Sequence, residues 1–226
     1  MNYEWNDILI IGDSYCRDRD SQTDWPVVVT NLLTETIGTI PPRGIGAGGC
    51  AWWYVRKILL KELALSIPKV LILCHTSYER IPNDYNLGLN AGILSGYNMA
   101  TTPDTMPNIS LSSIKDASIQ YYTYLYSQAF WEWAAHAWYK ELEQLLIQYK
   151  IPCVIHLNCF SPYIFNYGTT AAEILLNFSN PDTDNQIHHN HFLEDRNVIF
   201  GNNLYKAILE YNENDRLKNL QLFREF

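Results

Sequence analysis

A chain of 226 residues, 47% of them hydrophobic, holds enough apolar material for one sizeable core, so a single domain over 1–226 is expected and global disorder is not. Its 16 Lys and Arg against 24 Asp and Glu leave a formal charge of −8 with no basic run. That argues against a nucleic-acid partner, because phosphate contacts need clustered cations.

No apolar run approaches the roughly 18 residues of a membrane span, so no membrane partner is expected. The first residues, MNYEWNDILII, carry two acids where a signal peptide carries bases, which predicts cytoplasmic synthesis. The five cysteines, Cys16, Cys50, Cys74, Cys153 and Cys159, are odd in number, irregularly spaced and form no CxxC pair. They read as free thiols of a reducing compartment, several of them small core residues, with no zinc site. No cofactor is expected.

In chain order, DILIIG (7–12) is the first buried strand: short, continuously apolar and followed by Gly12-Asp13-Ser14. The segment 21–36 reads as a helix, with Asp24 a candidate N-cap before Trp25-Pro26. A further strand is expected near 38–45, at a sheet edge because GTIPPRGI contains two prolines. Then comes RGIGAGGCAWW (43–53), with four glycines in six positions. Such a segment either forms a tight turn or brings backbone N–H groups close to a ligand. It is not a GxGxxG in a βαβ setting, so a dinucleotide site is not expected.

A helix over 51–65 ends before Pro68, and KVLILC (69–74) is the next buried strand, closing in His75-Thr76-Ser77. Residues 81–110, rich in Gly, Asn, Pro and Thr, hold no period and read as a lid-like segment. The aromatic-dense stretch 119–139 extends this insertion to 135. It is either a helix buried on several faces or the lining of a pocket or protein interface. An amphipathic helix runs to 149, PCVIHLN (152–158) is a third buried strand, and 192–211 is a closing helix. Before it lies PDTDNQIHHNHFLEDRN (181–197), with three histidines and two upstream aspartates. His188 and His191 stand three apart, a spacing that also suits adventitious metal.

Strands alternating with helices predict an α/β fold with a parallel sheet of about five strands. In such folds the ligand crevice lies beyond the carboxyl ends of the strands. Ser14, residues 75–77 and residues 158–161 all follow strand ends and converge on one rim. A serine there becomes a nucleophile when a base takes its proton and preorganised donors hold the oxyanion.

The succession of strand-Gly-Asp-Ser, Gly-rich turn, polar strand end and late His before the last helix resembles the SGNH (GDSL-type) hydrolases. HTSYERIPN and GGCAWW look in particular like divergent members from tailed phages, especially those of marine cyanobacteria. The resemblance covers roughly 5–80 and 150–210. It implies a three-layer α/β/α, flavodoxin-like fold with Ser14 as nucleophile and His191 as base. It also implies oxyanion donors from the serine N–H, a glycine N–H at Gly49 or Gly48, and the position of Ser77. Ser77 stands where the family has Asn, and His188 where it has Asp. The acid orienting His191 is then assigned to Asp184, with Asp182 the other choice.

The activity implied by the resemblance is that of a serine ester hydrolase working through an acyl-enzyme, on an acetylated carbohydrate or another small ester. The alternative is a catalytically altered SGNH-like structural or binding module, such as a phage virion or tail component, with protein partners on the aromatic-rich insertion. A response-regulator receiver is disfavoured, because the strand ending in Cys74-His75-Thr76 lacks the phosphoacceptor Asp.

Overall fold

A computed structural model of the chain describes residues 8–13, 16, 22–37, 45–46, 50–80, 111–158, 163, 165–172 and 194–210. Its elements are β1 (Ile8–Gly12), α1 (Trp25–Ile37), β2 (Ile45–Gly46), α2 (Trp52–Leu65), β3 (Val70–Cys74), α3 (Leu111–Tyr124), α4 (Gln128–Tyr149), β4 (Cys153–Asn158), β5 (Thr169–Ala172) and α5 (Glu194–Glu210). The sheet runs in the order β2-β1-β3-β4-β5 with every pairing parallel. Four strands have four to six residues, and β2 is a two-residue strand at the edge. The fold is α/β, a parallel sheet flanked by helices.

β1 and β3 are continuously apolar, and β4 is so apart from His156, because both faces of the sheet are covered there. Ile8, Ile10, Val70, Ile72, Cys74, Cys153, Ile155 and Leu157 pack against Trp25, Val29 and Leu33 of α1 and Phe200, Leu204 and Ile208 of α5. The alternate residues Leu9, Ile11, Leu71, Leu73 and Val154 meet Val55, Leu59 and Leu63 of α2 and Ala135, Tyr139, Leu142 and Leu146 of α4. Each helix offers a four-residue spacing, which keeps its apolar side chains on one face. Trp25 meets Phe200 edge-on at 5.2 Å. The two helices come so close that a Cβ on Gly201 would stand 2.8 Å from the Val28 side chain.

The expected strands at 7–12, 69–74 and 152–158 are present within one residue at either end, and the expected edge strand lies slightly later, at 45–46. Helix α1 begins as its sequence suggests: the Asp24 carbonyl accepts the Val28 N–H at 3.0 Å, and Pro26 sits in the first turn, where its missing N–H costs nothing. Of the expected insertion 81–135, residues 81–110 lie outside the described residues, and 111–135 form α3 and the start of α4. The stretch read as one helix is broken at 125–127, where the Ser127 side chain accepts the Phe130 N–H and caps α4. Burial on several faces holds only from Ala135 onward. Tyr124, Phe130 and Trp133 are exposed by 79%, 52% and 65%. No helix among the described residues is long and apolar enough to cross a membrane.

Arg56 of α2 grips Glu141 of α4 through Nε and Nη2 at 2.9 and 2.6 Å, and its guanidinium lies 5.0 Å over the Trp53 ring. The fork holds the Glu141 carboxyl below its ordinary pKa. Both side chains meet water, so the pair is screened. Glu141→Gln is expected to lower the unfolding free energy by less than about 1 kcal/mol, read from urea midpoints.

Candidate functional site

In a sheet ordered β2-β1-β3-β4-β5 the chain changes direction between β1 and β3, and it is above such a switch point that open α/β sheets place their ligand crevice. Gly12-Asp13 ends β1 there, Cys74-His75-Thr76 ends β3, and Cys50-Ala51 leads into α2. Asp13 is fully buried. A carboxylate so placed needs charge and hydrogen bonds. Arg80 Nη1 supplies both at 3.1 Å from Oδ2, and Cys74 Sγ lies 3.7 Å from Oδ1.

The same Arg80 Nη1 donates to Thr76 Oγ1 at 2.6 Å and reaches the Cys50 carbonyl at 3.5 Å. Thr76 in turn donates to the Cys50 carbonyl at 2.9 Å. Two more thiols hold backbone: Cys50 Sγ donates to the Gly12 carbonyl and Cys16 Sγ to the Asp13 carbonyl, at 3.6 and 3.4 Å. Burial, then the Asp13 and Cys50 charges, push the Cys16 thiol well up, so it stays a protonated donor and not a nucleophile.

Ser77 is half-buried. Its Oγ accepts the Glu79 N–H at 3.3 Å, and its carbonyl accepts the Arg80 N–H at 3.2 Å. The segment 77–80 is thus a turn held by hydrogen bonds to both Ser77 oxygens. An accepting hydroxyl keeps its own hydrogen for donation. Tyr122 Oη donates to the Glu79 carbonyl at 2.9 Å and Gln128 Nε2 to Tyr78 Oη at 3.2 Å, which ties α3 and α4 to this turn.

Behind the rim lies a buried pair that sequence reasoning missed. His75 Nε2 and His156 Nδ1 are 2.9 Å apart, and His156 Nε2 is 2.9 Å from the Tyr167 carbonyl. A carbonyl only accepts, so His156 carries its hydrogen on Nε2, and His75 donates from Nε2 to His156 Nδ1. Phe165 stacks on His156 at 3.8 Å and on His75 at 4.7 Å. Burial takes the His156 pKa down to about 3; burial and then His156 take His75 well below its ordinary value. Both rings are neutral and too weakly basic to serve as general bases near neutrality. The available signal was a histidine inside the continuously apolar PCVIHLN, where an imidazole must find a partner.

Of the residues expected from the sequence to form the site, Ser77 lies on this rim. Ser14, His191, Asp184, Asp182, His188, Gly48 and Gly49 lie outside the described residues, as does Cys159. Cys16, Cys50, Cys74 and Cys153 are buried free thiols. No group of three or more His, Cys, Asp or Glu able to hold a metal occurs among the described residues. No protein-family model, curated protein or solved structure matches the chain.

Proposed function

We propose that the chain is a serine ester hydrolase of the SGNH type on a three-layer, flavodoxin-like fold, acting on an acylated carbohydrate or another small ester. The observation that carries this reading is the place of Gly12-Asp13: at the carboxyl end of β1, beside the switch point, and directly ahead of Ser14 in the chain. In this reading Ser14 Oγ attacks the ester carbonyl while His191, oriented by Asp184, takes its proton. The N–H groups of Ser14 and of Gly49 or Gly48, with the Ser77 hydroxyl, hold the oxyanion. Collapse expels the alcohol, which receives the proton from His191. Water, deprotonated by His191, then attacks the acyl-enzyme and releases the acid.

Incubation with p-nitrophenyl acetate and with a fluorophosphonate probe tests this. Turnover and a single probe adduct on Ser14, found by intact mass and peptide mapping, are expected. Ser14→Ala is expected to remove the adduct and lower turnover by about 10³-fold or more. Unchanged turnover in Ser14→Ala refutes the nucleophile.

A second reading, a non-catalytic SGNH-like binding module such as a virion or tail component, is favoured by the exposed rings of Tyr124, Phe130 and Trp133. Aromatic side chains in such positions suit a partner surface. A folded protein without turnover or adduct would decide for it.

A further inference from the structure

We propose that Arg80 is the positioning residue of the candidate site, a clamp that holds two strand ends and the entry to α2 in one arrangement. In its catalytic part this rests on the hydrolase reading above. Arg80 Nη1 carries two hydrogens. It lies 2.6 Å from Thr76 Oγ1 and 3.1 Å from Asp13 Oδ2, with the Cys50 carbonyl at 3.5 Å. These acceptors come from the end of β1, the entry to α2 and the end of β3. Each is the chain neighbour of a candidate site residue: Asp13 precedes Ser14, Cys50 follows Gly49 and Thr76 precedes Ser77.

Two of these contacts are to side chains, Asp13 and Thr76, and one is to the Cys50 carbonyl, and together they hold the three residues against one guanidinium. The Thr76 hydroxyl links two of the segments directly, accepting from Arg80 and donating to the Cys50 carbonyl at 2.9 Å. Arg80 is itself held from outside. Its N–H closes the turn onto the Ser77 carbonyl, and Tyr122 of α3 binds the carbonyl of the preceding residue, Glu79. The guanidinium is therefore anchored on one side by the turn and on the other by a buried carboxylate, whose charge requires it. Catalysis needs its groups placed to within a fraction of an ångström, so a clamp at three of their neighbours bears on rate more than on substrate binding.

The thiols make this testable without reference to turnover. Cys16, Cys50 and Cys74 surround Gly12-Asp13, whereas Cys153 begins β4 opposite Val70, at the far end of the sheet. Native-state alkylation of the full chain by iodoacetamide, mapped by peptide mass, is compared for wild type, Arg80→Gln and Arg80→Lys. If Arg80→Gln does not fold, Asp13→Asn/Arg80→Gln, which leaves no buried carboxylate unpaired, carries the same measurement.

Loss of the clamp is expected to speed alkylation of Cys16, Cys50 and Cys74 by about tenfold or more while Cys153 stays protected, with Arg80→Lys in between. If the three thiols stay as protected as in wild type, or all four open together, the clamp is overturned. With p-nitrophenyl acetate, Arg80→Gln is expected to lower kcat by about 10²-fold with KM within about twofold, and Arg80→Lys to recover part of it. Opened thiols with an unchanged kcat overturn the catalytic part. A wild-type protein inert to ester and probe overturns the hydrolase reading, and the thiol measurement then decides the clamp alone.

Discussion

Gly12→Ala is expected to lower the stability of the protein by about 3 kcal/mol or more, the upper part of the range for overpacking a core. A Cβ built on Gly12 would stand 2.3 Å from the Cys74 carbonyl oxygen, 2.4 Å from the Cys74 Cβ and 2.9 Å from its Cα. These are parts of β3 that do not swing aside as a long side chain does. They are also fixed by the ladder that pairs Ile8 with Val70 through to Gly12 with Cys74. Relief requires the end of β1 to peel away, and that end leads into buried Asp13.

Cys74→Ala is not expected to rescue the variant, because alanine retains each of the clashing atoms. Urea unfolding followed by circular dichroism gives the stabilities, and a Gly12→Ala protein within about 1 kcal/mol of wild type contradicts the geometry. The glycine of Gly-Asp-Ser is thus required by the approach of two strands, whatever chemistry Ser14 performs.

Acid lability is the second large effect. In the unfolded chain a histidine titrates near 6.5, whereas the folded protein holds His156 down to about 3 and His75 well below 6.5. Below about pH 6.5 the unfolded state therefore binds protons that the folded state refuses. The stability associated with the neutral pair is present above that pH and lost as pH falls. Each ring contributes a slope of about 1.4 kcal/mol per pH unit.

His156→Gln separates this from general acid denaturation. An amide can still donate toward the Tyr167 carbonyl and accept from His75, at a cost of about 1–3 kcal/mol for imperfect geometry at pH 8. It removes one titrating group, so stability should fall less steeply between about pH 6.5 and 5 by one proton's worth, about 1.4 kcal/mol per unit. Urea midpoints over a pH series measure the slope, and equal slopes for variant and wild type refute the neutral pair.

Much of the scaffold was legible because its signals are local. β1, β3 and β4 are covered on both faces, so each had to be a short apolar run, continuous but for His156 in β4. Helices α1, α2 and α5 place their apolar residues four apart. β5, with the sequence TTAA, carries neither signal. It is a strand because Ile155–Asn158 of β4 offers it a ladder, which is a property of the partner. The break between α3 and α4 turned on one cap, Ser127, inside a stretch whose aromatic density suggested continuity.

For the candidate site, residue order alone was enough to put Gly12-Asp13 at the end of a buried strand and residues 75–77 on the same rim. Succession along the chain and the period of buried residues suffice for that. The packed fold was needed to show that Arg80 meets Asp13 across 67 positions and that His75 meets His156 across 81. It was needed as well to show that the thiols of Cys16, Cys50 and Cys74 bond to Gly12-Asp13 and stay out of disulfides. Each of these groups is polar and buried, and its partner is chosen by which segments the sheet order brings side by side. Neither composition nor spacing carries that information, because the need for a partner is local while the partner itself is not.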